Sequence, residues 1–176
     1  GGTICERRAQ VLARRVECAS VYANPREVTD AGAPPAALAP LLNEDPTTLR
    51  RRLSQDRSFV WLARKVDDAT ALAVQKADLA GVGLTREYER VYPFKHLAGQ
   101  LLGFVGLDNK GLEGLERSID SVLAGITQRN VIQRDGTGRS FYLDSEGDNR
   151  GEDLCLTLDV QLQFIAEDVT AEAVEY

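Results

Sequence analysis

The chain has 176 residues, of which 43% are hydrophobic and 27% charged, with a formal net charge of −6 at pH 7. This is the composition of one globular domain with room for a short appendage, large enough to bury a core. The acidic balance excludes a general nucleic-acid binder, and no apolar run approaches the roughly 18 residues of a membrane span.

In chain order, TICERRAQVLARRVECASVYANP reads as two or three strands around a polar turn at 6–10, with Val16, Cys18 and Ser20 alternating against Glu17 and Ala19. A Pro/Ala-rich connector with a short helix follows over 31–46. Asp45 caps the next helix, Pro46 takes its first position, and the basic run 50–52 reads as a solvated face. FVWLARKV predicts a strand whose Trp61 enters the core, and Asp67 then caps a helix that stops at Gly81. GVGLTREYERVYP predicts an alternating strand ending at Pro93, and HLAGQLLGFVG a short helix running into a strand. LERSIDSVLAG predicts a helix with Leu115, Ile119 and Val122 on one side. NVIQRDGTGRSFYL reads as a hairpin turning on DGTG, and the polar stretch 144–153 as a module boundary. The last segment predicts a strand, a cap at Asp159 and an amphipathic helix.

LLGFVGLDNKGLEGLE, 101–116, invites a chemical reading. Its glycines do not form a P-loop, because no Gly-Lys-Ser/Thr follows, and they do not spell GxGxxG. Glu113 and Glu116 are spaced i,i+3 and Asp120 lies a turn further, so on a helix all three share a side. Paired carboxylates suit acid–base work, but a helix start favours acids through its dipole without any catalysis. His96 has no second histidine or cysteine spaced for a metal and reads as a surface or packing residue beside Pro93 and Phe94. Cys5, Cys18 and Cys155 fit no zinc or CxxC pattern and read as buried free thiols, with a Cys5–Cys18 bridge open in an oxidising compartment. Neither metal nor cofactor is expected. Ser-x-x-Lys, Ser-x-Asn and Lys-Thr-Gly are absent.

Several segments, in order and spacing, resemble the N-terminal, non-catalytic module of class B penicillin-binding proteins, and most closely that of the cell-division branch. GGTICERRAQVLA resembles the family's opening Arg-Gly-x-Ile-x-Asp-Arg-x-Gly-x-x-Leu-Ala. FVWLARKV is similar to its Leu-Ala-Arg strand, and REYERVYPFK to Arg-x-Tyr-Pro-x-Gly. GFVGLDNKGLEGLE resembles Gly-Phe-Val-Gly followed by Gly-Leu-Glu-Gly-x-Glu. RDGTGR and LTLDVQLQFIAE resemble the approach to a transpeptidase domain. The chain departs from the pattern at Gly1 (Arg in the family), Glu6 (Asp), Ala9 (Gly), Lys95 (Gly) and Gln128 (often Gly); Ala9 and Lys95 imply altered or strained turns.

The resemblance implies an α+β, elongated pedestal of twisted antiparallel strands with several short helices, over 1–152, and the first strand and helix of a truncated transpeptidase domain over 153–176. It implies no chemistry in this segment. Arg7, Arg90, Glu113 and Glu116 would form a charge network, and Gly106, Gly111 and Gly114 would let backbones approach. The implied partners are the module's own transpeptidase domain and membrane proteins of the division or elongation machinery; a homodimer stays open, and nucleic acid is excluded. The implied place is the extracytoplasmic face of the bacterial inner membrane, anchored by a helix preceding this segment. Separately, a chain that lacks methionine and stops within a helical pattern reads as part of a longer one. Two other readings remain: a free-standing extracytoplasmic interaction domain, and a hydrolase using Glu113 and Glu116.

Overall fold

The computed structural model describes residues 1–28, 33–125, 132–134, 140–142 and 151–174. Its elements are strands β1 (Ile4–Cys5) and β2 (Val11–Ala23), helices α1 (Ala33–Leu42) and α2 (Pro46–Leu53), strand β3 (Val60–Val66), helix α3 (Asp68–Ala77) and strand β4 (Val82–Val91). Short helices α4 (Gly99–Leu102), α5 (Gly114–Ser118) and α6 (Asp120–Ala124) follow, then strands β5 (Ile132–Arg134), β6 (Ser140–Tyr142) and β7 (Leu154–Cys155), and helix α7 (Val160–Val174). The architecture is α+β. In the five-stranded sheet β2 pairs with β1, β3 and β4, and β7 joins β1; β5 and β6 pair separately.

The expected antiparallel pairing holds for β1–β2, β2–β3 and β5–β6, whereas β7 runs parallel to β1, with Ile4 opposite Leu154. Parallel neighbours need a long crossover rather than a tight turn, and almost the whole chain separates these two strands. The predicted turn at 135–138, Gln128, and positions 144–150 of the polar boundary lie outside the described residues.

The chain divides into two compact units, one of residues 16–89 and one of residues 1–15 with 90–176. In the first, the two-residue period of β3 buries Val60 and Leu62 among Val21, Leu38, Leu49, Leu53 and Val74. The same period sends Trp61 to the other face, so it does not enter the core as the sequence suggested. There its ring meets Phe59 edge-on at 4.8 Å, and the Arg64 guanidinium lies 5.0 Å over it. The α2 start is as read from sequence, with the Asp45 carboxylate accepting from the Thr48 N–H and Pro46 at the first turn. Arg50 and Arg51 are exposed, but Arg52 turns inward to donate to the Leu62 carbonyl at 2.5 Å. Asp67 caps α3, which stops at a left-handed Asp78 (φ 43°) before reaching Gly81; a short acidic side chain tolerates that conformation.

The other unit packs Ile4, Leu12, Ala13, Leu97, Leu102, Leu123 and Val160 together. The helix expected over 115–125 breaks at Ile119 (φ −121°, ψ 24°), which advances its phase: Leu123 is buried and Val122 is exposed. Where a strand was expected after α4, Val105 makes only an isolated bridge to Gly111. The cap at Asp159 forms as read, its Oδ1 accepting from the N–H groups of Gln161 and Leu162. None of the three free cysteines is fully buried, contrary to the sequence reading: Cys5 and Cys18 are half-buried and Cys155 is exposed.

Candidate functional site

Arg90, near the end of β4, and Glu116, in α5, form a sealed ion pair. Nε of Arg90 donates to Oε1 of Glu116 at 2.8 Å, and the two side chains are 6% and 3% exposed. The Tyr92 hydroxyl donates to the same oxygen at 3.3 Å, and Nη1 of Arg90 donates to the Gly2 carbonyl at 2.5 Å. Nη2 of Arg90 is buried without a hydrogen-bond partner among the described residues. These contacts fasten the end of β4, the start of the chain and α5 together. Burial first, and then the Glu116 charge, push the Tyr92 phenol up to about 12. A cleft of about 190 Å³ opens beside the pair, lined also by Arg15, Asp108, Asp120 and Leu123.

Glycines make this approach sterically feasible. A Cβ on Gly111 would stand 2.0 Å from the Glu116 carbonyl oxygen, and one on Gly114 (φ 58°) 2.5 Å from the Gly103 nitrogen. Both contacts are to backbone, which cannot step aside. Gly106 differs, because its Cβ would meet only the flexible Leu112 side chain at 3.3 Å.

The other residues singled out by sequence do not join the pair. Glu113 is the extended residue preceding α5 (φ −142°, ψ 168°), not a member of it, so the i,i+3 geometry with Glu116 does not arise. Its side chain is exposed. Asp120 accepts from the Gly111 N–H at 2.9 Å. Arg7 pairs with Asp159, Nε to Oδ2 at 3.0 Å, and Arg8 reaches the same oxygen at 3.6 Å. Hydrogen bonding from the Leu162 N–H, aided by that of Gln161 and by both guanidiniums, holds the Asp159 carboxyl below its usual range.

Two polar centres escaped the sequence reading. Glu6 is 1% exposed, and its Oε1 accepts from the N–H groups of Arg8 and Gln10 at 2.5 and 3.2 Å, closing a turn in which Ala9 is left-handed (φ 65°). Its legible signal was an acid heading a short polar run between two strands. In the unit of 16–89, Arg64 forks onto Glu87, Nε to Oε2 at 3.0 Å and Nη2 to Oε1 at 2.5 Å, and the Ser20 hydroxyl also donates to Oε2. The Ser20 oxygen in turn accepts from the N–H of left-handed Lys65 (φ 53°) at 2.8 Å. Burial raises the Glu87 carboxyl, but the Arg64 and Ser20 hydrogen bonds outweigh it and leave it below its ordinary value. Only the alternation of Ser20 within its strand hinted at this centre. These groups are arranged to hold backbone in place: Glu116 is neutralised by Arg90, and Ser20 is fully buried.

Comparison with known proteins agrees with that architectural character. The family model of the penicillin-binding protein dimerisation domain matches residues 2–156. The probable peptidoglycan D,D-transpeptidase PenA of Neisseria meningitidis serogroup A is 34% identical over 99% of this chain and 31% of its own length. The peptidoglycan D,D-transpeptidase FtsI of Escherichia coli K12 is 33% identical over 93% of this chain and 29% of its own. The chain thus spans under a third of the length of these curated relatives. A solved complex between penicillin-binding protein PBP2 and MreC from Helicobacter pylori shares the fold, with a TM-score of 0.75 at 19% identity over 97% of this chain and 37% of that one. The matched span takes in the Glu6 turn, Arg90 and the glycine corner leading to Glu116, and the chain belongs to the penicillin-binding protein dimerisation domain family, a non-catalytic module.

Proposed function

We propose that this chain is the pedestal of a membrane-anchored peptidoglycan D,D-transpeptidase acting in septal wall synthesis on the extracytoplasmic face of the inner membrane. In this reading residues 1–152 hold the catalytic domain in position and present surfaces to division proteins, while 153–176 contribute that domain's first strand and helix. Arg7, Arg90, Glu113 and Glu116, with Gly106, Gly111 and Gly114, serve the platform; Arg90, Glu116, Gly111 and Gly114 carry most of that role and Glu113 the least. Family membership and the transpeptidase relatives support the reading, and the H. pylori complex of PBP2 with MreC supports a protein partner. Among the described residues no helix is long and apolar enough to cross a membrane; the proposed anchor is a helix preceding Gly1.

The observation that carries the proposal is the state of α7. Asp159 caps it, Val160 is buried in the core, and Oε1 of Glu167 accepts from the Ala98 N–H at 2.8 Å. Yet Leu162, Phe164, Ile165 and Val169 are 58–63% exposed. A helix anchored this firmly while displaying four large apolar side chains is one that a further domain covers. Fluorescent penicillin tests the whole reading. The product of the complete gene is expected to label covalently on a denaturing gel, and this chain is not. A labelled band from this chain would overturn the proposal. A gene that ends near Tyr176 without a downstream Ser-x-x-Lys would do so too, in favour of a free-standing interaction domain.

A further inference from the structure

Cys5 ends β1 and Cys155 ends β7, and the parallel register sets them directly opposite each other. That register is fixed from both sides: Leu154 N–H donates to the Thr3 carbonyl and Leu156 N–H to the Cys5 carbonyl, each at 2.8 Å, while Thr3 N–H donates to Oδ1 of Asp153 at 2.6 Å. Adjacent strands lie about 4.7–4.9 Å apart, and residues opposite one another direct their side chains to the same face. The two thiols therefore stand side by side. Ile4 is wholly buried, so alternation turns Cys5 outward, where it is half-buried beside the exposed Cys155.

A disulfide requires Cα atoms roughly 4.4–6.8 Å apart and Cβ atoms about 3.5–4.5 Å apart. Strand spacing meets the first condition and exceeds the second by a few tenths of an ångström, so the bond closes only with a small inward shift and some strain. That strain falls where backbone can yield, since both strands are two residues long and the β1–β2 register shifts between Ile4 and Cys5.

We propose that Cys5 and Cys155 are a redox pair that closes to an intramolecular, readily reduced disulfide joining β7 to β1. The reaction is thiol–disulfide exchange with a small-molecule or protein disulfide. The exposed Cys155 thiolate attacks one oxidant sulfur to give a mixed disulfide, and the Cys5 thiolate then displaces that sulfur. Two protein S–H bonds are lost and one S–S bond forms; the oxidant leaves as two thiols, carrying both electrons and taking up the two protons. Burial, with Cys155, Asp153 and Glu6 nearby, pushes the Cys5 thiol up, which suits Cys5 to the resolving rather than the attacking role. The pairing rests on register alone and stands whether or not the pedestal reading holds.

The chain equilibrated in glutathione buffers of rising oxidised fraction, alkylated and weighed intact, tests this. The expected product is a monomer lighter by two hydrogen atoms with one alkylatable thiol, Cys18, and a non-reducing digest that joins the peptides of Cys5 and Cys155. Cys5→Ser and Cys155→Ser should each abolish the link and Cys18→Ser preserve it, and oxidation should raise the urea midpoint only where both partners remain. Cys18 in the linked peptide, a link between two chains, or three alkylatable thiols across the whole series would overturn the proposal.

Discussion

Each unit is organised around an arginine–carboxylate pair, and the two pairs differ in how fully their charges are met. In residues 16–89, Arg64 grips Glu87 with two nitrogens, Ser20 adds a third donor, and exposures of 18% and 15% leave water within reach. In the other unit Arg90 reaches Glu116 through one nitrogen, uses another on the Gly2 carbonyl and leaves its third without a partner among the described residues, while exposure falls to 6% and 3%. The more deeply buried pair is the less satisfied one. Taking two charges out of water costs several kcal/mol per ion and is returned only by complete hydrogen bonding. The Arg64 pair is therefore expected to be the stabiliser, and we propose that the Arg90 pair acts as a register device, in place only when Gly2, Tyr92 and α5 come together.

The sharpest way to break this contrast is to remove partners. Glu116→Ala strands a buried guanidinium and should cost about 3–5 kcal/mol in urea unfolding. The double variant Arg90→Met/Glu116→Leu, which removes both charges and keeps bulk, should be more stable than either single variant. If the double variant is no more stable than the less damaged single, a stranded charge costs nothing beyond the lost pair and the distinction fails; a double loss equal to the sum of the singles would mean that Arg90 and Glu116 do not interact at all.

Glu87→Ala should cost less, about 1.5–3 kcal/mol, the worth of hydrogen bonds to a charged group. Its pH dependence carries a definite sign. The folded carboxyl lies below its ordinary 4.5, so its contribution is fully present above that pH and disappears as pH falls through the lowered folded value. The gap between wild type and Glu87→Ala should close on acidification; a gap unchanged down to acid unfolding would mean that Arg64 and Ser20 do not hold the carboxylate.

Tyr92→Phe probes the buried pair more gently, removing one hydrogen bond for about 0.5–1.5 kcal/mol. A phenol raised to about 12 keeps its proton in the folded state, so this contribution is present below the ordinary value of 10 and is lost as pH rises through 12. Absorbance titration should show one tyrosine ionising after the others, and Tyr92→Phe should remove that late step. Simultaneous titration of all tyrosines would place Tyr92 outside the Glu116 field.

Both units also hold a left-handed residue near a carboxylate, Ala9 beside the buried Glu6 and Lys65 beside the buried Ser20 and the half-buried Glu87. The departures at Ala9 and Lys95 made strain legible in the sequence, because a side chain stood where the family uses glycine, and both residues indeed have positive φ. Caps at Asp45, Asp67 and Asp159 were legible for a similar reason: a short acid before an apolar period has one good use. The Ile119 break, the Trp61 face and the parallel β7 were not, since each depends on packing or on a partner far away in sequence. Left-handed backbone costs a non-glycine residue roughly 1–2 kcal/mol, and glycine's extra chain entropy returns part of that. Ala9→Gly should therefore stabilise by about 0.5–1 kcal/mol. Lys65→Gly should gain less, because it also strips the aliphatic stem from a half-buried position. An equal or larger gain at Lys65 would show that its aliphatic stem contributes no packing there.

The smallest expected effect separates two residues that the sequence made equivalent. Glu113 and Glu116 stand three apart in GLEGLE, and on a continuous helix they would share a face. Gly114 sits at φ 58°, a conformation that begins the short helix but does not extend it backward, so Glu113 remains extended and points into solvent while Glu116 is enclosed. The glycine that permits close approach is thus also what splits the acidic pair. Glu113→Ala should change stability by no more than about 0.5 kcal/mol, the range of an ordinary surface substitution. Its urea midpoint should also stay independent of Arg90: adding Arg90→Met to Glu113→Ala should give the simple sum of the two effects. A coupling of about 1 kcal/mol or more would draw Glu113 back into the network and would mean that the helix start can shift by one turn.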